Sequence, residues 1–275
     1  MLGRFILNYP DTARRLGGLV LFALTMVVLY SIGISAHWLG SVFPAFAAWG
    51  KGSPATASFS FIARKIGFLI TQGTVTTLYI SAISIVIATV IALIGAIAKL
   101  SKNGVIYGLS TFYTSLFRGL PLLMQIYIIY LGLPQIGYVI GAIPAGILAL
   151  SLCYGAYMTE IFRAGIESIP RGQTEGATAL GLGSAQTMWL VILPQAMRII
   201  IPPTGNQFIA MLKDSSLVSV IGVWELMYVA RTQGQTEFRH IEMLITASMI
   251  YWMLSISFEF AQSRIERYYA RYYSL

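Results

Sequence analysis

The chain has 275 residues, of which 57% are hydrophobic and only 10% charged, and its mean hydropathy is +0.74. That leaves too little polar surface to cover a water-soluble globule, so the composition excludes a soluble domain and points to lipid as the solvent. The formal net charge of +8 does not point to nucleic acid, because a binding patch needs a water-facing surface on which basic residues gather, and here they are scattered between apolar runs.

In chain order, Arg4, Arg14 and Arg15 precede an apolar run from Leu16 to Ala36. The run is longer than the apolar region of a signal peptide and no small-x-small site closes it, so it reads as a retained transmembrane helix. Residues 37–71 are rich in Ala, Ser, Gly and Pro and are interleaved with Trp38, Phe43, Phe46, Trp49, Phe59 and Phe61, a pattern that predicts an interfacial outer loop. Further spans are predicted near 72–98, 106–132, 141–164, 188–212 and 241–263, each near the ~20 residues needed to cross hydrocarbon. Pro194 and Pro202-Pro203 are expected to break the fifth. The fold class is therefore all-α integral membrane, with about six transmembrane helices.

With the N-terminus inside, the cytoplasmic segments carry Arg4, Arg14, Arg15, Lys99, Lys102, Arg163, Arg171, Arg198, Arg264, Arg267 and Arg271, the larger part of the 18 basic residues. The positive-inside rule then places both termini in the cytoplasm. Cys153 is alone and mid-span, so it packs rather than pairs. His37 and His240 have no second ligand at a zinc-like spacing, and no metal site is expected.

Polar side chains occur where lipid forbids them: Ser110, Thr111, Thr114, Ser115, Arg118 and Gln125 must face protein or water. Between the fourth and fifth spans, Pro170 and Gly172 stop one helix, and Thr174 is placed to cap a short one with Glu175 in its first turn. Gly181 fits a left-handed terminator, and Ser184 fits the cap of the next span.

This segment resembles the EAA loop of bacterial ABC importer permeases: Glu175-Gly176-Ala177, Gly181, Val191 and Leu193-Pro194 keep every spacing of that pattern, with Gly176 for its first Ala and Val191 for Ile. Three further blocks are similar to the polar amino-acid branch: Phe117-Arg118-Gly119-Leu120-Pro121-Leu122-Leu123-Met124-Gln125, Ala156 to Ile166, and Leu193-Pro194-Gln195-Ala196 continuing through Asn206-Gln207-Phe208 to Leu217. The resemblance covers Gly73 to Arg267. It implies 72–267 as the permease transmembrane domain with a coupling helix about 174–183; the chain departs from the branch's shorter, five-span members in 1–71, an added N-terminal helix and outer loop, and 268–275 reads from its own residues as a basic aromatic cytoplasmic tail.

The resemblance implies a permease subunit of the bacterial inner membrane for a polar amino acid, with no cofactor of its own. ATP and Mg would be held by a dimeric ATPase partner, on which Glu175, Gly176, Ala177, Leu180 and Gly181 dock. Its other partners would be an external substrate-binding protein, met at Lys213, Asp214 and Ser215, and a second copy or a sister permease. Arg118 and Glu160 read either as a substrate site, with Gln125, Asn206 and Gln207, or as a structural ion pair. Ser219 to Val229 reads as a stretch lying at the outer interface. A secondary transporter or channel for small polar solutes is the competing class; it needs no coupling loop, and the inverted repeat it commonly carries is not found. A membrane enzyme would need a nucleophile–base or metal cluster, and a nucleotidase a phosphate loop ending Gly-Lys-Ser/Thr; the sequence has neither.

Overall fold

The computed structural model describes residues 55–271, in which every regular element is helical. The predicted first span, the start of the outer loop and the last four residues of the tail lie outside the described residues. The chain divides into two compact units, Met1–Lys65 and Ile66–Leu275.

Helix α1, Ala55–Phe68, occupies a stretch predicted as loop. After Pro54 the chain has no glycine or proline until Gly67, so nothing interrupts a helix. A π-helical turn, Leu69–Thr74, leads into α2, Val75–Lys99. Then come α3, Gly104–Gly119, and α4, Leu122–Tyr127, which continues through a π turn to Gly132 and a 3-10 turn to Ile136. Helix α5 is Ala142–Glu167. Two short helices follow, α6 at Arg171–Ala179 and α7 at Ser184–Thr187. Helix α8 is Leu193–Asp214, extended by a 3-10 turn to Ile221; α9 is Leu226–Thr236 and α10 is His240–Arg271.

Among the described residues four runs are long and apolar enough to cross a membrane: Arg64–Lys99, Ala142–Glu167, Ser184–Ile221 and His240–Tyr269. The third predicted span, 106–132, is not one helix. Helices α3 and α4 meet at a bend of 105°. Its cause is local: Gly119 weakens the helix end, and Pro121 forces Leu120 into extended backbone at φ −94°, ψ 139°. The expected break at Pro202-Pro203 is also corrected, because α8 runs through both prolines. Prolines inside a membrane helix are tolerated where neighbouring helices pack against the weakened turn, and here α10 braces that stretch, the Gln262 amide donating to the Pro202 carbonyl at 3.0 Å.

Helices α2 and α5 form the centre of the second unit. Lipid removes the hydrophobic drive between helices, so they associate by close backbone packing over small residues. Ser81, Ser84, Ala88, Ala92 and Ala96 on α2 and Ala145, Ala149, Ser151 and Ala156 on α5 are all buried. At Gly95 the approach is so close that a Cβ would lie 2.5 Å from the Thr159 hydroxyl. Helix α3 joins them through Ser110, which donates to the Gly95 carbonyl at 2.9 Å, and Tyr113, which donates to the Leu152 carbonyl at 2.7 Å.

Candidate coupling and translocation site

Helix α6 stands between the spans of α5 and α8. It starts at Arg171 behind Pro170, three residues before the expected cap, so Thr174 is an interior residue whose carbonyl accepts from the Thr178 hydroxyl at 2.8 Å. Its far end is as expected. Gly181 has φ +81°, Gly181 N–H donates to Thr178 O at 2.9 Å, and Leu182 N–H donates to Ala177 O at 3.1 Å. This is a Schellman terminator, in which glycine takes the left-handed position without a Cβ clash. Gly183, rather than Ser184, caps α7, and the Gln186 side chain accepts from the Gly183 N–H at 3.1 Å.

Of the residues in α6 only Ala177 is buried. Glu175, Gly176 and Gly181 are exposed, and Leu180 is 84% exposed. The helix is tied to the following span by Gln195, which donates to Gln173 at 3.1 Å and to the Val191 carbonyl at 2.8 Å. A rigid, largely uncovered helix anchored to two spans can take a push from a partner and pass it to both.

Glu160 on α5 is the hub of a charged cluster. Lys99, at the end of α2, pairs with Glu160 Oε1; Arg163 donates to Oε2 at 2.9 Å; Arg163 also pairs with Glu167. Arg118, at the last turn of α3, reaches Glu160 only at 3.9 Å and lies over the Tyr157 ring at 5.3 Å. The expected Arg118–Glu160 pair is thus the weaker arm of a cluster whose main cation is Lys99, a residue that sequence reading counted only as an inside charge. Arg118 keeps 43% of its side chain exposed, against 8% for Lys99.

Gln125 is buried, and its amide donates to Phe117 O at 2.9 Å and Leu120 O at 3.0 Å. Its amide N–H groups are spent on the orphan carbonyls at the end of α3, so it caps the bend. Asn206 on α8 is exposed and accepts from Gln262 at 3.1 Å; Gln207 beside it is half-buried. Among the described residues no hydrogen bond or ion pair joins Asn206 or Gln207 to the Glu160 cluster.

At the opposite end of α8, Lys213 is exposed, Asp214 accepts from the Tyr154 hydroxyl at 2.7 Å, and Ser215 is fully buried and donates to Leu212 O at 2.7 Å. Ser215 therefore faces the core, which corrects its expected outward contact. The stretch from Ser219 to Val229 is corrected too. Val223, Leu226 and Val229 are buried, and Glu225 is fully buried, accepting from Met227 N–H at 2.9 Å, Tyr228 N–H at 2.7 Å and the Tyr251 hydroxyl at 2.6 Å. Burial pushes the Glu225 carboxyl up to about 7. Among the described residues no group of three His, Cys, Asp or Glu is placed to hold a metal.

A bundle of apolar helices with a short, exposed, doubly anchored helix between two spans defines the membrane-spanning component of a transport machine. Residues 91–271 match the family described as binding-protein-dependent transport system inner membrane component, and the chain belongs to it: it is a multi-pass permease subunit of an ABC importer, a transport component and not itself the catalyst. It is 38% identical over 210 residues to the arginine transport system permease protein ArtQ of Bacillus subtilis (strain 168), covering 76% of this chain and 95% of that one. It is 37% identical to the putative glutamine transport system permease protein GlnP of Rickettsia typhi (strain ATCC VR-144 / Wilmington), over 74% of this chain and 93% of the relative. Among solved structures, a crystal structure of an amino acid ABC transporter with histidines matches with a TM-score of 0.72 at 36% identity, covering 76% of this chain and 97% of that chain. The MetNI methionine ABC transporter shares the fold, with a TM-score of 0.64 at 21% identity.

Proposed function

We propose that this permease moves a polar amino acid into a bacterial cell across the inner membrane, with both termini in the cytoplasm, driven by ATP and Mg held on a separate ATPase dimer. The observation that carries the reading is α6: exposed except for Ala177, closed by Gly181 and tied through Gln195 to α8. Glu175, Gly176, Leu180 and Gly181 form the docking surface, with Ala177 packed beneath it against the spans rather than on the face expected for it, and closure of the ATPase dimer rocks the two anchored spans. An external binding protein delivers the amino acid on the opposite side, where Lys213 is open to it, and a second copy of this chain or a sister permease completes the pore. The naming of the relatives for arginine and glutamine supports the substrate class.

Arg118 is the residue of the pathway best placed for a substrate carboxylate, because Lys99 and Arg163 already neutralise Glu160 and leave its guanidinium half-open. Glu160, Asn206 and Gln207 complete the proposed path, while Gln125 supports it by holding the bend.

The test is purification of the tagged protein from its own membranes in mild detergent, with identification of what co-elutes and an ATPase assay. Glu175→Lys should leave the permease folded and in the membrane, abolish coupled uptake and release the ATPase; Gly181→Pro, which can neither take φ +81° nor donate to Thr178, should do the same by undoing the end of α6 while the spans stay inserted. Uptake at the normal rate in either variant would falsify the docking assignment, and solute transport without ATP in liposomes would restore the secondary-transporter class.

A further inference from the structure

The corner between α9 and α10 carries the same hydrogen-bond pattern that closes α6, but with the wrong residue for it. Arg239 N–H donates to Gly234 O at 2.8 Å and Phe238 N–H donates to Gln235 O at 3.4 Å, which puts Phe238 at the left-handed position that Gly181 fills in α6. Phe238 has φ +54° and is the non-glycine residue with positive φ among the described residues. Left-handed backbone is unfavourable for a residue with a Cβ and persists only where the surroundings over-determine it. Here they do, because a Cβ on Gly234 would lie 3.0 Å from His240 Cα, so the two helices turn through a tightly packed corner.

The side chain held in this way is 91% exposed, the most exposed large hydrophobic residue among the described residues. Among the described residues nothing covers this ring, although glycine would fold more easily at its position. One crossing, Ser184–Ile221, separates this corner from α6, so with α6 inside the cell Phe238 stands outside. Its neighbours Gln235, Thr236 and Glu237 are exposed and polar, which suits the rim around a protein contact better than insertion into lipid. The element beneath it is firmly mounted. The start of α9 is bound to α10 by the Tyr251 hydroxyl on Glu225 at 2.6 Å and to α2 by Leu226 N–H on Thr77 at 3.1 Å, and a Cβ on Gly73 would lie 2.8 Å from Leu226 Cα.

We propose that Phe238 is an anchor residue for the external binding protein, inserting its ring into an apolar pocket on that partner and reporting its arrival through α9 to α2 and α10. The proposal rests on the importer reading above and names a contact within it. Aromatic residues presented rigidly at the centre of a polar rim carry a large share of interface affinity.

The experiment uses the intact transporter in nanodiscs and, as probe, the purified amino-acid-loaded binding protein that stimulates its ATPase. Affinity is measured for wild type, Phe238→Ala, which removes the ring but keeps a Cβ, Phe238→Gly, which also relieves the backbone, and Phe238→Trp. Both truncations should weaken binding about tenfold, Phe238→Gly should melt at or above the wild-type temperature, and Phe238→Trp should retain affinity. Equal binding by all four proteins overturns the proposal while leaving the importer reading intact. Normal binding together with quenching of a probe at 238 by brominated lipid overturns it in favour of a membrane contact. Failure of any external protein to stimulate the wild type overturns the reading on which it rests.

Discussion

Glu225 and Glu160 are two acidic residues with opposite logic. Glu225 lies beyond the Ser184–Ile221 span, buried and bonded to neutral donors. Its carboxyl is raised to about 7 from an ordinary 4.5, so between those values the folded chain holds a proton that the unfolded chain has released. Its contribution to stability is therefore greatest below about 4.5, falls as pH rises toward 7 and levels off above it, a change of at most about 3 kcal/mol. Glu225→Gln should flatten the dependence of melting temperature on pH between 4.5 and about 7; an unchanged slope would assign the dependence to another group. Glu160 sits among three cations, and Glu160→Gln should lower the melting temperature, since it leaves the Lys99 charge in a nearly closed site at a cost of roughly 2–4 kcal/mol. An altered choice of amino acid with stability unchanged would instead make Glu160 a substrate ligand. The acidic residue was visible in the sequence, but its main partner was not, because Lys99 lies 61 positions away.

The elements differ in how far local chemistry determines them. The end of α6 was legible, because only glycine fits a left-handed terminator without strain and Gly181 was the residue in place. The bend between α3 and α4 was written at Gly119 and Pro121, yet the apolar run on both sides concealed it, since hydropathy measures length and not direction. Gln125 is legible as a polar residue in lipid, but its purpose depends on a bend that hydropathy does not reveal. Gln125→Met keeps the side-chain volume and removes both donor bonds, leaving the Leu120 carbonyl without its side-chain donor and the Phe117 carbonyl with only the weak Cys153 thiol at 3.8 Å. A loss of about 1–3 kcal/mol is expected, read as a lower melting temperature in detergent. If melting does not change, the bend is held by its backbone alone.

At the scale of the whole molecule, the proposed orientation places α6 and Lys213 on opposite sides of the bilayer. Cys153, the one cysteine in the sequence, is 5% exposed and contributes little background to thiol labelling. Leu180→Cys should therefore react with a membrane-impermeant maleimide in inverted vesicles and Lys213→Cys in intact cells; labelling of both from one side would overturn the topology. The membrane class, four of the spans and the short helix between α5 and α8 followed from the sequence alone, because apolar length and the backbone demands of Pro170 and Gly181 are properties of contiguous residues. The tertiary structure alone decided that Lys99 meets Glu160, that Ser215 and Glu225 turn inward, and that Phe238 stands outward on a strained corner. Those outcomes depend on how each helix is rotated and how closely it approaches its neighbours, and both are set by packing between residues far apart in the chain.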